Sequence, residues 1–273
     1  MSVGVTSVSR SSLAWAWGGV EAQMVGDATV VRPALARRPV ELIVRQGRLA
    51  RGSGYASAPP ALRRGLARMG AILRLRERGR YFVHAAGAVD PRGRAWLLTG
   101  DSGSGKSTLT YALARAGWNV LGDDGIVLEV THISGSGSVW AHAWREPLRV
   151  SLDLEAHFPD LGARACSDGC ASMPGDLRRR IAVSVPFARG APLAAIVFLA
   201  RGERDVATPL TPTAALSALI PQSPWVLVAD EHASAHLAAL GHVAASVGAF
   251  RLEHSSRQLS TRDGIARTLG DLL

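Results

Sequence analysis

Apolar and polar positions along the 273-residue chain change rhythm near residue 60. Ahead of it the apolar runs are short and alternating, as in Ala28-Thr-Val-Val-Arg32 and Val40-Glu-Leu-Ile-Val44, and they close on Gly52-Ser-Gly54 and Pro59-Pro60. That pattern predicts short strands joined by turns. The patch Leu13-Ala-Trp-Ala-Trp17 reads the same way. From Ala61 to Gly79 the spacing becomes helical: Leu62, Leu66, Met69, Leu73 and Leu75 recur with arginines between them. This is an amphipathic helix whose arginines form a solvated face.

From Tyr81 onward strand and helix alternate. Tyr81-Phe-Val-His84 and Arg94-Ala-Trp-Leu-Leu-Thr99 predict strands, and Ser107 to Ala116 predicts a helix stopped by Gly117. Trp118-Asn-Val-Leu121 predicts the next strand. Ile126–Val130 and Val139–Trp144 pair as a hairpin across the Ser134-Gly-Ser-Gly-Ser138 turn. A helix or loop region follows at Leu152–Asp160, then a polar insertion to about Arg180. The last third predicts strand 193–199, helix 212–219, strand 225–229, helix 233–246, a short strand near Phe250 and a closing helix 262–272. The expected fold is an α/β sheet covered by helices over residues 81–273, with a β-rich portion and its amphipathic helix, 1–80, packed on it.

Composition narrows this little. The hydrophobic share of 47% is enough for a full core, so disorder is not expected. The net charge of +9 invites nucleic acid, yet the arginines are scattered instead of gathered with aromatics on one face. A composition that trades lysine for arginine accounts for the charge, and nucleic acid is not the expected partner. No apolar run reaches membrane-spanning length, and the amino end makes a poor signal peptide, so no membrane partner and a cytoplasmic location are expected. Cys166 and Cys170 stand four apart with no second ligand pair, which reads as two loop thiols and not as a metal or redox site.

Against that arginine background, one lysine remains. Lys106 sits in Gly100-Asp-Ser-Gly-Ser-Gly-Lys-Ser-Thr108, between a predicted strand and a predicted helix. The segment fits Gly-x4-Gly-Lys-Ser/Thr, in which glycines let backbone N–H groups converge on phosphate oxygens and the lysine reaches the terminal phosphates. A helix beginning there adds its positive pole. The whole run is therefore read as nucleotide-binding: Gly100, Asp101, Ser102, Gly103, Ser104, Gly105, Lys106, Ser107 and Thr108. The Ser134–Ser138 run lacks both the lysine and the helix.

Acidic groups decide what such a loop does. Asp123 and Asp124 end the strand that follows the loop helix, which puts them beside the phosphates if that strand lies next to the first. Mg2+ needs oxygen ligands there, the Ser107 hydroxyl and a carboxylate, so one of Asp123 and Asp124 serves the metal while the other faces a phosphate acceptor. Gly122-Asp-Asp-Gly125 is also good turn chemistry; the neighbouring loop favours the functional reading. His84, at the end of a strand, is by pattern alone a packed or solvated bystander.

His84-Ala-Ala-Gly-Ala-Val, the Gly100–Thr108 loop and Gly122-Asp-Asp124 together resemble the catalytic core of HPr kinase/phosphorylase and the HPr-kinase-related proteins, over about residues 81 to 130. The resemblance implies a P-loop kinase core of the HPr kinase C-terminal-domain type. It implies that Asp124 is the acid/base group for a serine hydroxyl, that Lys106 holds the β/γ-phosphates, that Ser107 meets the metal, and that His84 lines the phosphoryl site. Family relatives form rings, which is compatible with a homo-oligomer. The family's downstream glutamate motif has no clear counterpart; Glu146 stands alone in that region, while Arg149 and Arg178–Arg180 are candidates to hold substrate or transition-state charge, as family arginines do, but read better as surface arginines. The expected protein is a kinase using ATP, or another nucleoside triphosphate, and Mg2+ on a hydroxyl of a peptide or small protein, such as a ribosomal precursor peptide. A small-molecule acceptor and a nucleotide switch without acceptor are the alternatives.

Overall fold

The computed structural model describes residues 20–33, 40–133, 136–161, 163, 180–228, 230–255 and 264–272. The Leu13–Trp17 patch, Cys166 and Cys170 and most of the polar insertion lie outside the described residues. The chain separates into two compact units, Met1–Gly79 with Pro224–His236, and Arg80–Ser223 with Leu237–Leu273.

In the smaller unit, β1 (Val20–Val25), β2 (Ala28–Pro33), β3 (Leu42–Arg45) and β4 (Arg48–Arg51) form an antiparallel meander in chain order. The β3–β4 turn places Gln46 and Gly47 at positive φ, 47° and 68°, the geometry that matches the twist of a tight hairpin. Helix α1 (Pro60–Arg76) starts on a proline, which suits a first turn whose N–H groups have no intrahelical acceptor, and buries Leu66, Met69, Ile72 and Leu73. Gly70 lets it approach the meander closely: a Cβ there would lie 2.6 Å from Leu42 Cδ2. Its arginine face is not wholly solvated. Arg76 is buried, donating to the Asp230 carboxylate and, at 2.9 Å, to Val228 O. The expected strand at 225–229 is instead a single 3-10 turn, Pro224–Leu227. Pro224 has no N–H to give a ladder, which disfavours a strand there.

The larger unit is a mixed α/β fold. Its strands are β5 (Arg80–Val83), β6 (Ala86–Val89), β7 (Ala95–Thr99), β8 (Asn119–Gly122), β9 (Ile126–Ile133), β10 (Ser136–Ala143), β11 (Leu148–Ser151), β12 (Arg180–Val183), β13 (Gly190–Arg201), β14 (Val206–Pro209) and β15 (Gly248–His254). Helices α2 (Lys106–Arg115), α3 (Pro212–Leu219), α4 (Ala233–Ser246, in this unit from Leu237) and α5 (Gly264–Gly270) complete it. The sheet order is β5-β9-β10-β13-β7-β6-β8, with β15 also pairing β13 and β14 pairing β15. The long β13 makes this branching possible, pairing antiparallel with β10 through Gly190–Pro192 and parallel with β15 through Ala195–Arg201. β7 runs parallel to β13 on its other side. β11 and β12 form a separate antiparallel pair, and β9 and β10 form the expected hairpin.

One expectation about the site fails here. β8 is not the neighbour of β7, because β6 lies between them and is antiparallel to both. Its sequence, Ala86-Gly-Ala-Val89, is too small and uniform to announce a strand, yet all four residues are buried. Two reversals restore direction, so β7 and β8 run parallel and end at the same edge of the sheet. Helix α2 closes one face, packing Leu109, Tyr111 and Leu113 into a core with Trp96, Trp118, Leu148, Phe158 and Val197. Tyr111 meets Phe158 edge-on at 5.1 Å, which holds the helix against the segment that follows β11.

Candidate active site

The glycine loop leaves β7 at Gly100 and enters α2 at Lys106. Gly100, Gly103 and Gly105 have φ of 139°, 82° and 101°, where an L side chain is strained. Gly100 is required on a second count, because a Cβ there would lie 2.6 Å from Leu199 O of β13. The Ser104 N–H donates to Asp101 O at 3.1 Å, closing the turn, and Asp101, Ser102 and Gly103 form its exposed tip. Gly105 caps α2 without a side-chain hydrogen bond, and the first turn holds no acidic residue. The positive end of the helix is thus left for an anion.

Lys106 is only 8% exposed, and its ammonium donates to Gly100 O at 2.8 Å and Asp101 O at 3.2 Å. The side chain folds back across the mouth of its own loop. Burial lowers its pKa, and the charges of Asp124, Asp123 and Asp101 oppose that shift.

The acidic pair follows β8. Asp123 is 8% exposed; its Oδ2 accepts the Arg149 N–H at 3.3 Å, while its Oδ1 has no partner among the described residues. Burial pushes its pKa up to about 6, with Asp124 adding to the rise, while the Ser107 hydroxyl, the Arg149 N–H and the Arg180 charge pull it back. Asp124 is 52% exposed, and its Oδ1 stands 3.4 Å from His84 Nδ1, which is also 3.2 Å from Asp124 O. Two backbone contacts fix His84: its N–H donates to Gln222 O at 2.7 Å, and the Thr99 hydroxyl at the end of β7 donates to its carbonyl at 3.2 Å. The glycines beside the acids serve packing, since a Cβ on Gly125 would lie 2.3 Å from the Phe82 ring and one on Gly122 2.5 Å from Gly125 O.

The structure therefore brings Lys106, Ser107, Asp123, Asp124 and His84 to one edge of the sheet, with Asp123 and the loop lysine within each other's field. Glu146 is engaged elsewhere, accepting from Trp144 Nε1 at 3.0 Å. Arg149 contributes its backbone and not its charge. Arg180, read from sequence as a surface residue, opens β12 with its charge acting on both Lys106 and Asp123. Nothing local distinguished it from Arg178 and Arg179, which lie outside the described residues.

No protein-family model and no curated protein sequence matches the chain. Among solved structures it is similar to the HPr(Ser) kinase/phosphatase from Coxiella burnetii, at 11% identity over 69% of this chain and 95% of that one, with a TM-score of 0.33.

Gly100–Ser104 also form one wall of a cleft of about 680 Å3, bounded opposite by Phe198–Arg201 at the end of β13, by Ala214 and Ala218 on α3, and by Gln222. Its interior is largely apolar, and neither Asp123 nor Asp124 lines it. No local pattern announces it, because the pairing of β13 with β7 is what creates it. Among the described residues no three His, Cys, Asp or Glu side chains gather as a metal cage. A cation here would rest on the Ser107 hydroxyl and Asp123, whose buried, unpartnered oxygen suits a hard divalent ion. No helix among the described residues is long and apolar enough to cross a membrane.

Proposed function

We propose that the chain is a Mg-ATP-dependent kinase that transfers the γ-phosphate to a hydroxyl, most suitably a serine, of a peptide or small protein. The observation that carries this reading is the convergence of a nearly buried lysine, inside a loop of left-handed glycines, with two adjacent carboxylates of unlike exposure. Residues 81–273 are then a P-loop kinase core of the HPr-kinase type, 1–80 an accessory portion, and the cytoplasm the setting.

Glycine-loop N–H groups and the first turn of α2 grip the phosphates, and Lys106 turns from its carbonyls to the β/γ oxygens. The apolar cleft beside the loop accommodates the nucleoside, whether of ATP or of another triphosphate. Ser107 and Asp123 hold the Mg2+, which neutralises phosphate charge when bound. Asp124 accepts the proton of the acceptor hydroxyl as that oxygen bonds to the γ-phosphorus and the bond to the β-phosphate oxygen breaks. His84 holds Asp124 in place for this, and Arg180 adds positive charge where the transferring group gains negative charge. Because Asp124 is half exposed, the acceptor arrives from solvent, which suits a hydroxyl displayed on a peptide, a ribosomal precursor peptide included.

The test is incubation with Mg-ATP and a panel of peptides, small proteins and small-molecule alcohols, read by intact mass and by free phosphate. Phosphate on a peptide supports the reading. Free phosphate with every acceptor unmodified makes the protein a nucleotide hydrolase instead.

A further inference from the structure

One buried histidine beneath the glycine loop has no part in the chemistry above. His254, at the end of β15, is 7% exposed, and its Nε2 lies 2.7 Å from Ser104 O. A carbonyl oxygen only accepts, so Nε2 carries the proton and donates it. The imidazole is pressed against the loop: a Cβ on Gly105 would lie 2.8 Å from its Cε1 and 3.0 Å from its Nε2. Gly105 is therefore glycine for its φ of 101° and also to admit this ring. The backbone that carries the ring is itself anchored, since His254 O accepts the Gly202 N–H at 3.1 Å and the next residue, Ser255, is held by Asp205 through N–H and hydroxyl at 2.7 and 3.2 Å.

The peptide unit that follows Ser104 consists of the Ser104 carbonyl and the Gly105 N–H. No peptide bond among the described residues is cis, so within that rigid plane the two groups point in opposite directions. Holding the Ser104 carbonyl toward His254 aims the Gly105 N–H away from β15. Glycine on one side of this plane would otherwise leave it free to flip.

From this geometry we infer that His254 is a positioning residue for the phosphate grip: it locks the Ser104–Gly105 peptide plane so that the Gly105 N–H faces the bound phosphates. The inference rests on the proposed role of the glycine loop. It assigns the far end of β15 to the nucleotide site, although His254 touches no reacting atom.

The test compares wild type, His254→Met and His254→Gln for binding of Mg-ATP and of inorganic tripolyphosphate, alongside kcat and KM. Met and Gln have nearly the same shape, but only Gln donates. His254→Met is expected to weaken both ligands about tenfold, the loss of one hydrogen bond to an anion, with the rise in KM exceeding the fall in kcat. His254→Gln should recover most of the affinity. In wild type, which needs no variant to fold, the Gly105 amide proton should move downfield when tripolyphosphate binds. If wild type binds neither ligand, the phosphate-loop reading falls and takes this inference with it. If wild type binds both while His254→Met binds them equally well, or the Gly105 amide stays unmoved as other loop amides shift, the inference fails alone.

Discussion

Burial lowers the pKa of Lys106, three carboxylates oppose part of that shift, and two backbone carbonyls accept hydrogen bonds from its ammonium. In the proposed function those carbonyls give way to a phosphate, which offers stronger acceptors at the same mouth. Lys106→Ala should therefore weaken Mg-ATP binding at least about tenfold, with transfer falling further, by direct titration and initial rates. Lys106→Arg should not rescue it, since a planar fork is too broad for a pocket closed by Gly100 O and Asp101 O. Asp124→Asn separates binding from chemistry. The amide keeps the shape and loses the basicity, so transfer should drop on the order of a hundredfold or more while nucleotide affinity holds. Near-normal transfer by Asp124→Asn would remove the base from the proposal.

At the scale of elements, the glycine loop works because β7 delivers it against β13. A Cβ on Gly100 would lie so close to Leu199 O that Gly100→Ala must displace β13 backbone or the loop itself. It should lower stability by roughly 2 kcal/mol or more, a backbone penalty of about 1 to 2 kcal/mol plus the cost of that displacement, and reduce nucleotide affinity as well. Gly103→Ala meets nothing within 4 Å and should cost only its backbone strain, a smaller drop in the same denaturation midpoint. The comparison also shows what a sequence can reveal. Helices α3 and α4 match their expected limits, 212–219 and 233–246, because proline starts and apolar spacing are local signals. The glycine loop between β7 and α2 was legible for the same reason. β6 was not, since Ala-Gly-Ala-Val carries no alternation, and its place between β7 and β8 depends on partners far along the chain. His254 was invisible too: only the parallel pairing of β13 with β15 carries it beneath the loop. Arg76 looked like a surface arginine until the 224–236 segment supplied Asp230 and Val228 O.

For the molecule as a whole, acidity should act on the two units in opposite senses. In the smaller unit His236 is fully buried, and burial together with the Arg76 charge pushes its pKa down to about 3. The unfolded chain takes up that proton near pH 6.5 while the folded chain refuses it, so stability is lost as pH falls below about 6.5, on the order of 2 kcal/mol by pH 5. In the larger unit Asp123 is pushed up to about 6. It stays protonated in the fold where the unfolded chain has released its proton, so its contribution is full below about pH 4 and is lost as pH rises through 6, roughly 3 kcal/mol in all. Between pH 4.5 and 6.5 the two contributions oppose each other. Urea denaturation of the metal-free protein across that range should then depend on pH more weakly than either variant. Asp123→Asn should leave the His236 loss unopposed, making the protein progressively less stable as pH falls. His236→Gln should do the reverse and favour pH 4.5 over 6.5. Taking each variant's difference from wild type at every pH cancels the titrations they share, whether the units unfold together or in turn. Two difference curves of the same slope would show that one of these groups does not have the burial assigned to it. A flat curve for Asp123→Asn would also deprive the proposed metal position of the desolvation that keeps its carboxylate waiting for a cation.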